Sequence, residues 1–300
     1  MSNFIITYTS FNKISIIFVY ITQVSLIHLT ASLVLYNNNV DDVNKVVHSL
    51  FSSYPNANLF IVDNSSKSRE FHFKNYKNVT YIFNGKNLGF GMAHNIAIKK
   101  AITLKSKYHV IMNPDISFSK EVINKLIGFM DQNGEIGLLM PKILYPSGKQ
   151  QFLCKLIPSP KNLIIRRFSP IKRWIQKNNK TYELRFFEHD KNIEIPYVSG
   201  CFMFTRTDIL KQVSGFDERF FLYFEDLDLT RRIGRISKTV FFSETAVYHK
   251  YNKESYTNNK VFMHHIVSSI KYFNKWGWLV DRERKIINKK TLLQFSEYKK

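Results

Sequence analysis

Carboxylates and amides gather where apolar runs of this 300-residue chain stop. Tyr36 and Asn37 follow the first such run, Asp63 and Asn64 the second, and Asn113, Pro114 and Asp115 a later one. Asp115 suits Mg2+ or Mn2+, because hard cations take oxygen ligands and bind through one or two carboxylates plus substrate phosphates. Asp63 suits the polar edge of a base or ribose, since an ionised carboxylate accepts hydrogen bonds. The same residue types also cap helices and shape turns, so each taken alone has a purely structural reading.

A denser group lies between residues 215 and 232, which read GFDERFFLYFEDLDLTRR. An aromatic run leading into Glu225 and Asp226 at a helix start can wall a carboxylate away from water and raise its basicity, as a general base requires. Acids at a helix start also complement its dipole, and the aromatics could simply be core. Arg231 and Arg232 follow; one of them could meet negative charge, and a solvated helix position is expected for at least one. His249 ends the stretch from Thr245 to Tyr248 and is either a neutral imidazole ligand for the same cation or a structural histidine. Asn87 to Gly91 (NLGFG) precedes a helix, so its amides could approach an anion, with Gly89 and Gly91 permitting close approach. As a dinucleotide fingerprint it is weak, because the third glycine is absent.

These groups need a scaffold that brings strand ends together. Apolar runs at Ala31–Tyr36, Leu59–Val62, Val79–Phe83, Tyr108–Met112 and Ile136–Met140 alternate with helical patterns, one through Val43, Val46, Val47, Leu50 and Phe51, others near Met92–Leu104 and Lys120–Met130. Short apolar strands separated by helices predict an α/β fold, a mostly parallel central sheet with helices on both faces. In such sheets ligands bind beyond the carboxyl ends of the strands, where the polar residues above fall. Pro141 is expected to stop its strand, and residues 146–196, rich in proline, to form an irregular, mobile excursion. Regular structure resumes at Tyr197–Thr205, and a helix carries Arg231 and Arg232.

The expected organisation is an apolar leader over 1–29, one catalytic domain over 30–250 and a basic helical segment over 251–300. The apolar stretch from Ile14 to Leu29 falls short of the roughly twenty residues that span a bilayer. Two cysteines, Cys154 and Cys201, match no metal-ligand spacing and fit a reducing compartment. A net charge of +21 calls for an anionic partner: nucleic acid, a phospholipid surface or phosphorylated small molecules. The lysines are spread along the chain, without a separate basic arm or a zinc-finger or RRM signature, so nucleic acid is not expected. Near the end, Val261, Phe262, His265, Ile266, Ser269, Ile270 and Phe273 share a helical stripe followed by Trp276 and Trp278. That stripe fits either an interfacial helix or one packed on the domain.

Seven segments, LVLYNN, FIVDNSS, NGKNLGFGMAHNIAI, VIMNPDI, YVSGCFMFTR, GFDERFFLYFEDLDLTRRI and AVYHK, carry a resemblance covering about Thr30 to Trp278. In order and approximate spacing they resemble bacterial family 2 glycosyltransferases, in particular the O-antigen and cell-wall rhamnosyltransferase branch. The resemblance implies a GT-A fold, a nucleotide-diphospho-sugar donor, a divalent cation and inversion at the anomeric carbon. It makes Asp63 a nucleotide contact and sets Asn113-Pro114-Asp115 at the DxD motif. Asn113 replaces the first acid, a departure usual in this branch, and leaves Asp115 as the motif carboxylate. Asp226 matches the catalytic base and His249 a metal-proximal histidine. Tyr36, Asn37, Asn64, Asn87, Gly89, Gly91 and Asn113 fall to the donor side, and Ser199, Gly200 and Glu225 to the acceptor side. The implied acceptor is a polyprenyl-diphosphate-linked saccharide at the cytoplasmic face of an anionic membrane, with the enzyme peripheral to it. dTDP-rhamnose is the favoured donor, with UDP-glucose, UDP-galactose and their N-acetyl forms open. A nucleotidyltransferase would need a glycine-rich loop ending in lysine where Tyr36-Asn37-Asn38-Asn39 stands. A non-enzymatic anion binder would leave Asp63, Asp115, Glu225 and Asp226 without a purpose.

Overall fold

The computed structural model describes residues 27–68, 76–250 and 258–298; nearly all of the expected leader lies outside them. The chain opens with β1 (Leu29–Leu35), α1 (Val40–Ser53), β2 (Asn58–Asp63) and β3 (Val79–Phe83). It continues through α2 (Phe90–Thr103), β4 (Tyr108–Met112), β5 (Ile116–Phe118), α3 (Val122–Gln132) and β6 (Ile136–Leu144). Helices α4 (Pro160–Phe168) and α5 (Lys172–Tyr182) precede β7 (Ile193–Glu194), β8 (Phe202–Arg206), α6 (Thr207–Gln212), α7 (Glu225–Ile233) and β9 (Lys238–His249). Helices α8 (Asn259–Trp276) and α9 (Arg282–Leu292) follow.

One sheet holds the described strands in the order β3-β2-β1-β4-β8-β6-β9-β5, with β7 also on β9. It is mostly parallel: β1, β2, β3, β4, β6 and β9 run one way, and only β5, β7 and β8 are reversed. The central strands are buried on both faces, β4 along its whole length, which is why they read as continuous apolar runs. From β1 the chain steps outward to β2 and β3, then returns through α2 to β4. Right-handed crossovers moving in opposite directions put α1 and α2 on opposite faces. Accordingly α1 packs with α3, and α2 with α6 and α7. Asn39 caps α1 by accepting from the Asp41 amide, and the helix buries Val43, Val46, Val47, Leu50 and Phe51 at the expected helical spacing.

Two expectations are corrected. Pro141 does not stop β6, which runs to Leu144; a register shift against β9 between Pro141 and Lys142 absorbs the missing amide donor. Nor is 146–196 irregular throughout, since α4 and α5 form a helical hairpin inside it. Ser159 and Asn162 build a capping box, and Pro160 stands at the start of α4, where its fixed φ starts a helix. At the other end, Ser268, Tyr272 and Phe273 of α8 are buried against Phe220, Phe224 and Leu227. The Phe273 end of the stripe therefore packs on the domain.

Candidate active site

The donor side is built from strand ends cross-braced by asparagines. At the end of β2 the Asp63 carboxylate accepts from the Ser65 amide at 2.8 Å and from the Tyr81 hydroxyl at 2.6 Å. Asp63 is fully buried, so it shapes this corner from beneath, while Tyr36 stands 55% exposed above it. Asn37 takes a left-handed φ of 55° and donates its amide to Ser65 Oγ at 2.9 Å. Asn64 Nδ2 donates to the Gly89 carbonyl at 3.1 Å and to Asn87 Oδ1 at 3.3 Å, and Asn84 donates to Asn64 Oδ1 at 2.9 Å.

The glycines of this loop serve close approach. Gly89 has φ +83°, and a Cβ there would lie 2.3 Å from the Phe221 carbonyl oxygen. At Gly91 it would meet Phe216 Cβ at 2.9 Å. The Gly89 amide donates to Asn87 Oδ1 and the Phe90 amide to the Phe221 carbonyl, each at 2.9 Å. These amides fasten the loop to the aromatic turn, so the anion-cradle reading of this segment does not rest on them.

The acidic corner forms where β4 ends. The Asn113 amide donates to the Cys201 carbonyl at 2.9 Å. Strand β5 pairs with β9 so that Ile116 lies opposite His249, which sets His249 Nε2 3.4 Å from Asp115 Oδ1 and 3.5 Å from Asn113 Nδ2. Gln151 grips the histidine from behind. Its Nε2 donates to the His249 carbonyl at 2.7 Å, and its Oε1 is 3.1 Å from His249 Nδ1. An Nδ1–H donating to that oxygen directs Nε2 at Asp115, the way metal-binding imidazoles are oriented by a second hydrogen bond. Burial lowers the imidazolium pKa, but Cys201 and Asp115 outweigh it and raise it to about 10.

One carboxylate oxygen and one imidazole nitrogen at this separation fit two positions around a divalent ion. Among the described residues no cluster of three or more His, Cys, Asp or Glu could hold a metal. The pair therefore suits an ion that takes its remaining ligands from water and substrate phosphate.

Asp226 lies on the other side of Cys201. It stands in the first turn of α7 with only 9% of its surface exposed. Its carboxylate accepts from the Gly200 amide at 2.9 Å, the Leu227 amide at 2.8 Å and the Tyr197 hydroxyl at 3.3 Å. Burial raises its pKa against the opposing pull of these amides, of Lys155 and of Tyr197. Tyr223 and Phe224, just before it, both take left-handed φ angles of 69° and 67°. Non-glycine residues hold that conformation only where the surroundings enforce it. A Cβ at Gly200 would sit 3.3 Å from Asp226 Cβ and from the Phe90 ring, so a larger residue there would press on both. Ser199 is half-buried beside it.

Glu225 plays a different part from its neighbour. Its Cβ lies 3.6 Å from where Gly91 would carry one, so it packs against the start of α2. Burial and the Asp226 charge push its pKa well up. Among the described residues its buried Oε2 meets no hydrogen-bond partner.

Three site residues escaped the sequence reading. Tyr197 opens the segment YVSG and was legible as the polar end of an apolar strand. Gln151 and Lys155 carried no signal, because they belong to the proline-rich stretch. The Lys155 ammonium lies 5.5 Å from the centre of the Tyr197 ring, and burial lowers its pKa to about 8. Gln151 and Lys155 line a cavity of 670 Å³ whose walls include Arg166, Ile175, Glu183 and Arg185.

Both arginines of α7 are bound within the fold, which corrects the solvated position expected for at least one of them. Arg231 forms a two-pronged pair with Asp281 at 2.8 and 2.7 Å, reaches Tyr272 at 3.2 Å and lies 4.1 Å from the Trp276 ring centre. Arg232 bonds Asp228 at 2.7 Å and the Val213 carbonyl at 2.6 Å. Arg231 thereby locks α8 and α9 onto the domain, and Arg232 ties α7 to the end of α6.

The profile of glycosyl transferase family 2 matches residues 32–214. An N-acetylglucosaminyl-diphospho-decaprenol L-rhamnosyltransferase of Mycobacterium tuberculosis is 28% identical over 174 residues, 53% of this chain and 54% of that protein. The match thus spans about half the length of that relative. The rhamnosyltransferase WbbL of Escherichia coli K12 is 22% identical over 266 residues, 83% of this chain and 94% of that protein. Among solved structures, GalNAc-T7 with UDP, GalNAc and Mn2+ superposes with a TM-score of 0.56 at 14% identity, covering 75% of this chain and 43% of that one. This last likeness concerns the fold. With the profile covering more than half of its length, the chain belongs to glycosyl transferase family 2, and its curated relatives include rhamnosyltransferases.

Proposed function

We propose that this glycosyltransferase moves one sugar, L-rhamnose from dTDP-rhamnose being favoured, from a nucleotide-diphosphate donor to a hydroxyl of a lipid-linked saccharide, with inversion. The observation that carries the reading is Asp226, a buried carboxylate of raised pKa held by two backbone amides beside the Asp115–His249 corner. The donor and acceptor classes draw further support from the relatives, one of which is named for a decaprenol-diphosphate acceptor and L-rhamnose. An enzyme acting on such an acceptor would work at the inner face of a membrane. Among the described residues no helix is long and apolar enough to cross one.

In this mechanism Asp226 takes the proton of the acceptor hydroxyl while that oxygen bonds to the anomeric carbon. The bond from that carbon to the diphosphate breaks on the opposite face, and the electron pair leaves with the diphosphate. The Gly200 and Leu227 amides and the Lys155 ammonium keep Asp226 ionised despite its burial, so it is basic and still charged when the acceptor arrives. Asp115 and His249 would hold a divalent cation, Mg2+ or Mn2+, whose charge offsets that of the departing diphosphate. Tyr36, Asn37, Asn64, Asn87 and Asn113 edge the donor side above buried Asp63, and Ser199 and Gly200 leave room for the incoming saccharide.

Saturation-transfer NMR with a panel of nucleotide sugars and Mn2+, on wild type and Asp115→Ala, tests the proposal. One donor should bind only with metal and lose at least tenfold in affinity in the variant. Binding of no donor would refute the donor-dependent reading.

A further inference from the structure

We infer that the α4–α5 hairpin is a membrane-seating element that docks on an anionic lipid surface. Residues 160–182 contain seven Lys or Arg and not one Asp or Glu. At the closed end of the hairpin, Ile164 and Phe168 of α4 and Ile171 and Trp174 around the start of α5 are 43–65% exposed. Ile164 and Phe168 are four apart on a helix and so share a face. Exposed Lys172, Arg173 and Lys177 flank them. The patch continues onto α8, where Phe262 meets the Phe168 ring at 6.5 Å and the Arg167 guanidinium at 4.1 Å, with Met263 exposed next to it.

Large apolar side chains tipped among cations, with a tryptophan at the boundary, match an interface whose headgroups are negative and whose interior is hydrocarbon. A second copy of the chain is a poor occupant, because a two-fold contact would press the same cations against each other. A nucleic acid would meet the charge and leave Ile164, Phe168 and Ile171 in water. Another exposed apolar group, Leu279, Val280 and Ile286, shares its surface with the half-buried Glu283, so it lacks the one-signed charge.

The inner side of the hairpin supplies the second half of the argument. Arg166, Ile175 and Asn179 line the cavity that also holds Lys155, beside the Tyr197–Asp226 pair. One face of α5 thus looks into a cavity walled by Lys155 and Gln151, which touch Tyr197 and His249 of the candidate site, while its start carries the apolar tip. Resting on the function proposed above, this geometry admits a lipid-anchored acceptor from the membrane side, its saccharide entering beside α5.

The test is flotation of the full chain with vesicles of phosphatidylcholine alone or with about one-third phosphatidylglycerol, at 0.1 M salt. Three variants accompany wild type: Phe168→Ser/Ile171→Ser/Trp174→Ser, Lys172→Glu/Arg173→Glu/Lys177→Glu, and Arg282→Glu/Lys285→Glu/Lys289→Glu on α9, which changes net charge equally. Wild type and the α9 variant should bind the anionic vesicles at least tenfold better than the neutral ones, and both hairpin variants should lose at least tenfold. Equal binding by the hairpin variants, or equal loss in the α9 variant, would overturn the inference. So would a wild type that ignores both vesicles and dimerises through the same side chains, as measured by sedimentation. Sugar transfer to a short-chain, soluble acceptor should persist in the hairpin variants; absence of transfer in every protein would count against the function and leave vesicle binding to decide the surface.

Discussion

Replacing Asp226 by Asn keeps the side chain's shape and removes its ability to take a proton. General-base catalysis is worth about 10²- to 10⁴-fold, or roughly 3–5.5 kcal/mol of barrier. The surroundings place this loss in the upper part of that range, because no neighbour can substitute. Tyr197 is held well above the ordinary phenol range by burial and by the Asp226 charge, so it stays protonated. Burial and the Asp226 charge push the Glu225 carboxyl well up in the same way, and Lys155, with a pKa near 8, is mostly an ammonium at neutral pH. The expected kcat of Asp226→Asn at pH 7 is therefore at least about 10³-fold below wild type. Nucleoside diphosphate release from the donor identified by NMR, in the presence of acceptor, is the assay. Donor affinity should change less than threefold, and circular dichroism should show a folded chain. The pH profile adds a second reading. Since burial raises the Asp226 pKa, wild-type activity should fall as pH drops through a value above the usual carboxylate range near 4. That acid limb should vanish in the variant. A folded variant keeping more than one-tenth of wild-type kcat would refute the assignment.

Gly89→Ala sets a Cβ against the Phe221 carbonyl at a φ reserved for glycine, and should cost about 1–3 kcal/mol, read by denaturant unfolding. Activity should fall with it, because the Phe90–Phe221 bond ties the donor loop to the turn before Asp226. Arg231→Ala strands buried Asp281 and should destabilise by about 3–5 kcal/mol in the same measurement, while donor KM at a permissive temperature stays within twofold. A large KM increase without destabilisation would restore Arg231 to the diphosphate. Mn2+ binding with donor should release close to one proton at pH 7. His249 is held protonated there, and metal coordination needs the neutral ring. Calorimetry in buffers of different ionisation enthalpy measures that proton, which should disappear in His249→Gln.

The alternation of apolar strands and helical patterns made the sheet legible, and with it the strand ends that carry Asn37, Asp63 and Asp115. Periodicity reports burial, and these strands are buried on both faces. The same logic misread the stretch between β6 and β8. α4 buries no residue fully, so its helical face carries no continuous apolar stripe, and Pro160 looked like a breaker although it sits where proline begins a helix. Tyr197 was within reach at the edge of YVSG, whereas Gln151 acts through a contact 98 residues away in sequence and leaves no local mark. Arg231 and Asp281 are likewise 50 residues apart, so nothing local marked Arg231 as an anchor rather than a solvated or charge-meeting arginine. Residue types are visible in a sequence; the partners that consume their charge are not.

The cation corner joins Asn113 and His249 across 136 residues, through a strand only three residues long at the edge of the sheet. A contact of that sequence separation carries a loop-closure cost and is lost whenever this edge strand opens, although α1 packs over it and Ile116 and Phe118 are buried. Metal and donor then bind a conformation that a frayed edge does not offer, and each molecule bound withdraws chain from the frayed population. Donor supply would on this account set how much of the enzyme is assembled at its edge as well as how fast it turns over. Amide exchange in β5 should slow on adding donor and Mn2+ while exchange in β1 stays as it was.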